Sequence, residues 1–474
     1  MFAKKKSRHK SPIILEPTPQ AGYFSYLYIL YILVAIAYFS WRFHYTLQWN
    51  SFLGYLLILM DVYIISSTII FLITTRKLYN PVYMKPLTDV TTDVFIPTYN
   101  EPTEIVEMTA LAAKNIEGIS QVFVLDDGNR KEIKNMARSH GLRYYARTTN
   151  LHAKAGNLNN GLLYSNADFI ISLDCDHIPS KNFLTRTLGY FKDRRLGFVQ
   201  TPQSFYNFRS IQHRENASYT LWNEQTMFYD CIQLSKNKYH AAFFCGSSAM
   251  LRRAARDHIG GFATGTATED IHTALKLHAR GWGSLYVNEK LAFGLAPEDL
   301  TEYHKQRVRW GAGSLGLLLR SKDSPLVAKG LSFKQRICYI YSTMAHSWGV
   351  QKCIYYFAPL ISFLAVRKLG PSFIALYFSL YMGYISLSFF ITYIYSRKTF
   401  QLLFTEQFDI LNIFGQIEAL KGVLRVEKKF GVSLKIKSGY ENSYVFYALI
   451  FLVAILGVTN ILFLLKWYVA TDGD

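Results

Sequence analysis

Four short polar clusters follow one another in the polar middle of the chain: Asp126-Asp127-Gly128, Asp174-Cys175-Asp176, Thr268-Glu269-Asp270 and Gln306-Arg307-Val308-Arg309-Trp310. Asp174 and Asp176 are one residue apart, so on an extended strand end their side chains share a side and converge on one cation. Hard carboxylate oxygens suit Mg²⁺ or Mn²⁺, ions that neutralise a departing diphosphate. Thr268 stands before Ile271, Ala274, Leu275 and His278, which keep helical spacing up to a stop at Gly281. That spacing predicts Thr268 as an N-cap, with Glu269 and Asp270 in the first turn near the positive end of the helix dipole. A carboxylate held ionised there can take the proton from an attacking hydroxyl. In the last cluster, guanidinium groups can grip phosphate oxygens in pairs and a flat indole can pack on a sugar face. Lys154, in His152-Ala153-Lys154-Ala155-Gly156-Asn157, is followed by small residues that let backbone approach a ligand.

The elements that must position these groups are short. Asp93 to Pro97, Val122 to Leu125 and Phe169 to Leu173 read as strands, each followed by turn residues and then helical spacing. Strands alternating with helices predict an open, largely parallel sheet with helices on both faces, whose ligands collect at the carboxyl ends of the strands. Asp126 and Asp174 both fall at such ends. Each cluster alone has an ordinary explanation: a solvated Asp-rich turn, good helix capping, or an interfacial helix with Arg and Trp at lipid headgroups. Their order along one chain raises the chemical reading above those.

Half of the 474 residues are hydrophobic and 16% are aromatic. The apolar residues gather in runs near the roughly 20 residues that a helix needs to cross a bilayer. Tyr23 to Phe39 and Leu53 to Ile73 lie between basic flanks and predict a hairpin with both ends on the cytosolic side. Further runs at Tyr355 to Val366, Phe373 to Ile394 and Tyr444 to Leu465 bring the expected spans to about five. The first of these later runs is short unless Lys352 and Cys353 are drawn in. Two amphipathic stretches, from Phe333 to Trp348 and from Phe404 to Leu424, read as helices in the cytosolic interface. The formal charge of +19 has no nucleic-acid fold signature beside it; it fits cytosolic loops near anionic lipid and a diphosphate ligand. Five cysteines without a CxxC pair argue against disulfides and zinc.

Taken together, the motifs resemble those of processive family-two inverting glycosyltransferases, and among them the bacterial cellulose synthase catalytic subunits. Phe95-Ile96-Pro97-Thr98-Tyr99-Asn100-Glu101, Val199-Gln200-Thr201-Pro202 and Phe243-Phe244-Cys245-Gly246-Ser247 add to the match. The resemblance implies an α/β GT-A (Rossmann-like) cytosolic domain over residues 85–320, inserted between transmembrane helices at 21–78 and in 321–474, with a basic N-terminus over 1–20. It implies that Thr98, Tyr99, Glu101 and Asp126 hold the uridine part of a UDP-sugar, and that Lys154, Asp174, Asp176, Gln306 and Arg309 serve the diphosphate and its metal. Asp270, beside Glu269, would be the general base; Cys245 and Trp310 would line the acceptor side. Phe430-Gly431-Val432-Ser433-Leu434-Lys435 is similar to the family's FxVTxK gating loop, with Ser433 keeping the hydroxyl. The implied activity is a membrane β-glucan synthase of the plasma membrane that extends a polysaccharide from UDP-glucose and passes it outward. Mixed-linkage or (1,3)-linked glucan, hyaluronan or chitin, and single-sugar transfer to a lipid remain alternatives. Fewer spans than the family usually carries would call for a second copy or an outside partner. With no cyclic-di-GMP-binding region after Leu465, control by that nucleotide is not expected.

Overall fold

The computed structural model describes residues 11–19, 24, 26–49, 52–215, 221–365, 371–424 and scattered positions between 450 and 465. Two long helices come first, α1 (Leu27–Trp49) and α2 (Phe52–Thr75). Their sequences are apolar over stretches of 19 and 24 residues, long enough to cross a membrane by length and composition.

A seven-stranded sheet follows, built from β1 (Thr92–Thr98), β2 (Gln121–Asp126), β3 (Arg143–Ala146), β4 (Phe169–Ser172), β5 (Leu196–Gln200), β6 (Ala249–Arg252) and β7 (Gly283–Tyr286). Their order is β7-β5-β6-β4-β1-β2-β3. Every neighbouring pair is parallel except those made by β6, which runs antiparallel to both β4 and β5. The departure from a wholly parallel arrangement has a use. Ala249, the first residue of β6, pairs with Ser172 and Gln200, the last residues of β4 and β5, so the loop entering β6 lies across the carboxyl edge of the sheet.

Alternate residues of the strands feed two cores, one on each face. Val94, Ile96, Val122 and Val124 pack with Val106 and Ala110 of α3 (Thr103–Lys114) and Ile133 of α4 (Lys131–Ser139). Phe95, Phe123, Leu125 and Phe198 pack with Ala155 and Leu158 of α5 (Ala153–Leu162) and Ala274 and Leu275 of α6 (Glu269–Ala279). Burial on both sides explains why these strands read as unbroken apolar runs. Pro97 is tolerated in β1 because β4 has ended at Ser172, opposite Phe95; the missing N–H faces past that end and costs no ladder bond. β1 and β2 run on together until Thr98 stands beside Asp126.

Beyond the sheet come α7 (Leu300–Leu319), α8 (Phe333–Met344), α9 (Trp348–Ala365), α10 (Pro371–Tyr395) and α11 (Leu402–Leu424). The short apolar run expected from Tyr355 is thus the second half of an 18-residue helix that does include Lys352 and Cys353. The charge is accommodated because the Lys352 ammonium pairs with Glu406 and, at 3.0 Å, with Asp409 of α11. Tyr31, Tyr38, Phe71, Tyr384 and Ile391 form an aromatic-rich core joining α1, α2 and α10. The loop at Phe430, Val432, Ser433 and Lys435 lies outside the described residues, as does most of the run from Tyr444 to Leu465.

Phe198 of β5 is completely buried, 5.7 Å from the ring of His278 on α6 and 6.4 Å from that of Phe244. Phe198→Ala leaves a cavity where sheet and helix meet, and a loss of about 3–5 kcal/mol is expected in denaturant unfolding of the purified protein.

Candidate active site

The site is assembled on the carboxyl edge of the sheet. Asp126, the last residue of β2, is fully buried and works as the hub of the loop that follows. Its carboxylate accepts from the Gly128 and Arg130 amides at 3.0 and 2.7 Å and from the Tyr144 hydroxyl at 3.1 Å, and the Arg130 guanidinium sits 3.1 Å away. Arg130 also donates to Thr98 Oγ1 at 2.8 Å and to the Glu101 carbonyl at 2.5 Å. Glu101 Oε2 in turn accepts from Thr98 Oγ1 and the Tyr99 amide at 2.7 and 2.8 Å. Thr98, Glu101 and Asp126 therefore hold one another in place through Arg130, and Tyr99 beside them is 38% exposed. Asp127 is held separately by Arg147 at 2.5 and 2.7 Å.

The Asp174 and Asp176 carboxylates converge, but not on an extended strand end. β4 stops at Ser172, and the chain turns through Asp174 to His177, closed by the His177 amide on the Asp174 carbonyl at 3.0 Å. The turn therefore brings a third ligand type to the place. Donor atoms of Asp174, Asp176 and His177 all lie within 4.8 Å of one another. Two hard oxygens and an imidazole suit a divalent ion. His177 Nδ1 is 3.1 Å from Asp176 Oδ1, while its Nε2 is buried with no hydrogen-bond partner among the described residues. A buried ring nitrogen without a partner is costly unless something else takes it, so these residues fit a metal.

Lys154, in the first turn of α5, reaches over to this turn. Its ammonium donates to Asp174 Oδ1 at 2.5 Å and to the Gly246 carbonyl at 2.9 Å, and lies 3.9 Å from Glu269 Oε1. Burial alone would lower its pKa, but Asp174 and Glu269 outweigh that and raise it. Burial likewise works against the charge of Asp174, yet Lys154 holds that carboxyl below the usual carboxylate range.

The Phe243 to Ser248 loop closes the same space. Gln200 fastens it, accepting from the Cys245 amide and donating to the Ser247 carbonyl, both at 2.8 Å. Ser247 Oγ accepts from the Asp174 amide at 2.8 Å. Gly246 has φ +87°, and a Cβ there would lie 3.1 Å from Asp270 Oδ2 and 3.2 Å from Lys154 Nζ. Glycine is required because two charged groups approach a backbone of left-handed conformation. Burial, reinforced by the neighbouring Glu269 carboxylate, pushes the Asp270 carboxyl up to about 7. Burial and the nearby Asp270 also push the Cys245 thiol up, so Cys245 is a neutral lining group.

Thr268 occupies the N-cap position of α6, but its side chain makes no cap hydrogen bond, contrary to expectation. The side chain is turned instead toward α7, where a Cβ on Gly313 would lie 2.6 Å from Thr268 Cγ2. α7 thereby abuts the start of α6 and carries Gln306, Arg307, Arg309 and Trp310. Arg307, the other guanidinium of the cluster, is buried and paired at 2.6 Å with Glu224. Arg309 is half-exposed and makes no ion pair among the described residues. Of the residues expected from sequence, Lys154, Asp174, Glu269 and Asp270 are brought together with the Cys245 loop, and Thr98, Glu101 and Asp126 form a second group; Gln306, Arg309 and Trp310 share α7. Sequence reading missed His177, whose place directly after an Asp-x-Asp was the available signal, and Glu224.

A mostly parallel sheet with acidic turns converging at its carboxyl edge is the arrangement of the GT-A fold. Residues 93–260 match the family model described as glycosyl transferase family 2, and residues 256–405 match that of cellulose synthase. The chain thus carries a family-two glycosyltransferase domain followed by a cellulose synthase domain. It is 39% identical over 347 residues to cellulose synthase 1 of Komagataeibacter xylinus, across 71% of this chain and 22% of that protein. It is 37% identical over 348 residues to the cellulose synthase catalytic subunit of Pseudomonas fluorescens, across 70% of this chain and 46% of that one. The chain thus spans less than half the length of these curated relatives. The fold is also that of mannosyltransferase PcManGT from Pyrobaculum calidifontis, solved in complex with GDP-Man and Mn²⁺. The TM-score is 0.55 at 16% identity, covering 85% of this chain and all of that one.

His177→Ala removes the imidazole while leaving both carboxylates. Mn²⁺ titration followed by calorimetry is expected to show at least about tenfold weaker binding than the unaltered protein.

Proposed function

We propose that this chain is a processive, inverting β-glucan synthase that adds glucose from UDP-glucose to a growing chain and passes that chain across the membrane. A cellulose-like β-1,4-glucan is the product this reading puts first, in keeping with the cellulose synthases that the chain resembles. The observation that carries the reading is Asp270: a carboxyl pushed up to about 7, linked through Lys154 to the metal-type trio, in the first turn of the helix whose N-cap residue abuts α7.

Inversion needs one displacement and one base. Asp270 accepts the proton of the attacking sugar hydroxyl, and a pKa near the working pH is the one that serves a general base best. Glu269 assists by raising Asp270, and Lys154 keeps both carboxylates and Asp174 in register. Thr98, Tyr99, Glu101 and Asp126 form the wall for the uridine. Asp174, Asp176 and His177 would hold Mg²⁺ or Mn²⁺, which supplies charge neutralisation for the leaving UDP. Gln306 and Arg309 approach the diphosphate from α7, and preorganised positive charge there favours departure. Trp310 and Cys245 face the end of the growing polymer, an indole giving a flat platform for a sugar ring.

Transport draws support from the long helices outside the sheet. α1 and α2 are long and apolar. α9 and α10 have 18 and 25 residues. At 1.5 Å per residue, helices of such lengths reach about 27 and 37 Å, near or above the hydrocarbon thickness. The reading places the protein in the plasma membrane with its catalytic part in the cytosol. It leaves room for a second copy or an extracytoplasmic partner to complete the path.

Below pH about 7 the Asp270 carboxyl is protonated and no longer basic enough to take the incoming proton, so polymer synthesis should fall about tenfold per pH unit on the acid side and level off above. Asp270→Asn should abolish polymer synthesis at every pH while UDP binding stays close to that of the unaltered protein. Substantial synthesis by Asp270→Asn, or a profile flat through pH 7, would remove Asp270 from the role of base.

A further inference from the structure

Glu224 has no part in the reaction described above, yet it is built into the face of α7 that carries the sugar platform. It follows a two-stranded ribbon that pairs His213–Glu215 with Leu221–Asn223. The ribbon is anchored on α11 through Trp222, which packs on Phe404 and Phe408 and donates from Nε1 to the Thr399 carbonyl at 2.8 Å. The Glu224 side chain is 15% exposed, and its two oxygens are divided between two helices. Oε2 accepts from the Arg307 guanidinium at 2.6 Å, and Oε1 from Asn412 Nδ2 of α11 at 3.4 Å.

Arg307 is itself sandwiched. Its guanidinium lies 4.4 Å from the ring centroid of Trp310 and 4.6 Å from that of Tyr303, one turn away on either side. A cation lying on an aromatic face fixes the plane of that ring. A guanidinium with 9% side-chain exposure keeps such a place only while its charge is compensated, and the compensating carboxylate is that of Glu224. The same segment holds the adjacent position of α7. Gln212 donates to Gln306 Oε1 at 3.2 Å, and Gln225 donates to Gln212 Oε1 at 3.3 Å.

We infer that Glu224 is a positioning residue for the acceptor side: through Arg307 it sets the plane of the Trp310 indole against which the terminal sugar rests. The inference depends on the proposal that Trp310 faces the growing polymer. It also assigns Arg307 to the indole and not to the donor diphosphate, which is left to Arg309.

The test uses the full-length protein and reads three quantities: UDP release, polymer length and tryptophan emission. Glu224→Gln should leave the KM for UDP-glucose nearly unchanged while mean polymer length falls about tenfold, the size of one lost cation–ring contact. Glu224→Asp should recover most of that length. The double variant Glu224→Gln, Arg307→Met removes both charges at similar volume, a change that buried pairs tolerate in folding, and should show the same shortening. Polymer of normal length from either Gln variant would overturn the inference, as would an equal proportional loss of UDP release and polymer. Emission separates the two claims. The part of the spectrum that disappears in Trp310→Phe should shift in Glu224→Gln whether or not polymer is made. No shift refutes the geometry, whereas a shift with unchanged polymer refutes the acceptor role of Trp310.

Discussion

The site depends on one ammonium group. Lys154 lies between Asp174 and Glu269, with Asp270 close by, and without it three carboxylates would crowd one end of the sheet. Like charges at such distances cannot all stay ionised in a place that is partly withdrawn from water. Lys154 divides them into roles: Asp174 is held ionised within the metal-type trio, while Asp270, buried, farther from the ammonium and beside Glu269, is left near neutrality. The Gly246 carbonyl fixes the third direction of the same ammonium, so the Phe243 to Ser248 loop is tied to the acidic groups by a single side chain.

The fold serves this arrangement by bringing distant segments to one edge. Antiparallel β6 is the means, because it lets the Phe243 to Ser248 loop lie against the carboxyl ends of β4 and β5. Gly246 and Gly313 then remove the two Cβ atoms that would hold apart the loop, α6 and α7. α7 is fastened on its other side to α11, by Glu224 and by His304, whose Nε2 lies 2.9 Å from Glu418 Oε2. α11 is fastened to α9 through Lys352. Movement of these apolar helices against the catalytic edge therefore has a polar route through α11.

Much of this was legible in the residues. Asp126 and the turn beginning at Asp174 were placed by apolar strands that must end before polar groups. α6 was placed by the spacing of Ile271, Ala274, Leu275 and His278 up to Gly281. What local pattern could not show was tertiary choice. Thr268 has the right type for a cap, but the close approach of Gly313 turned its side chain to α7. Asp174 and Asp176 converge by either of two backbone paths, and only the turn recruits His177. The Glu224–Arg307 pair joins residues 83 positions apart, and no periodicity announces it.

The most direct measurement supplies purified protein with UDP-glucose labelled in the sugar, together with Mg²⁺ or Mn²⁺, and treats the product with linkage-specific glycanases. The account predicts high-molecular-weight label that a cellulase releases. Label confined to a single transferred sugar, or polymer formed only from a different donor such as UDP-N-acetylglucosamine, would contradict it.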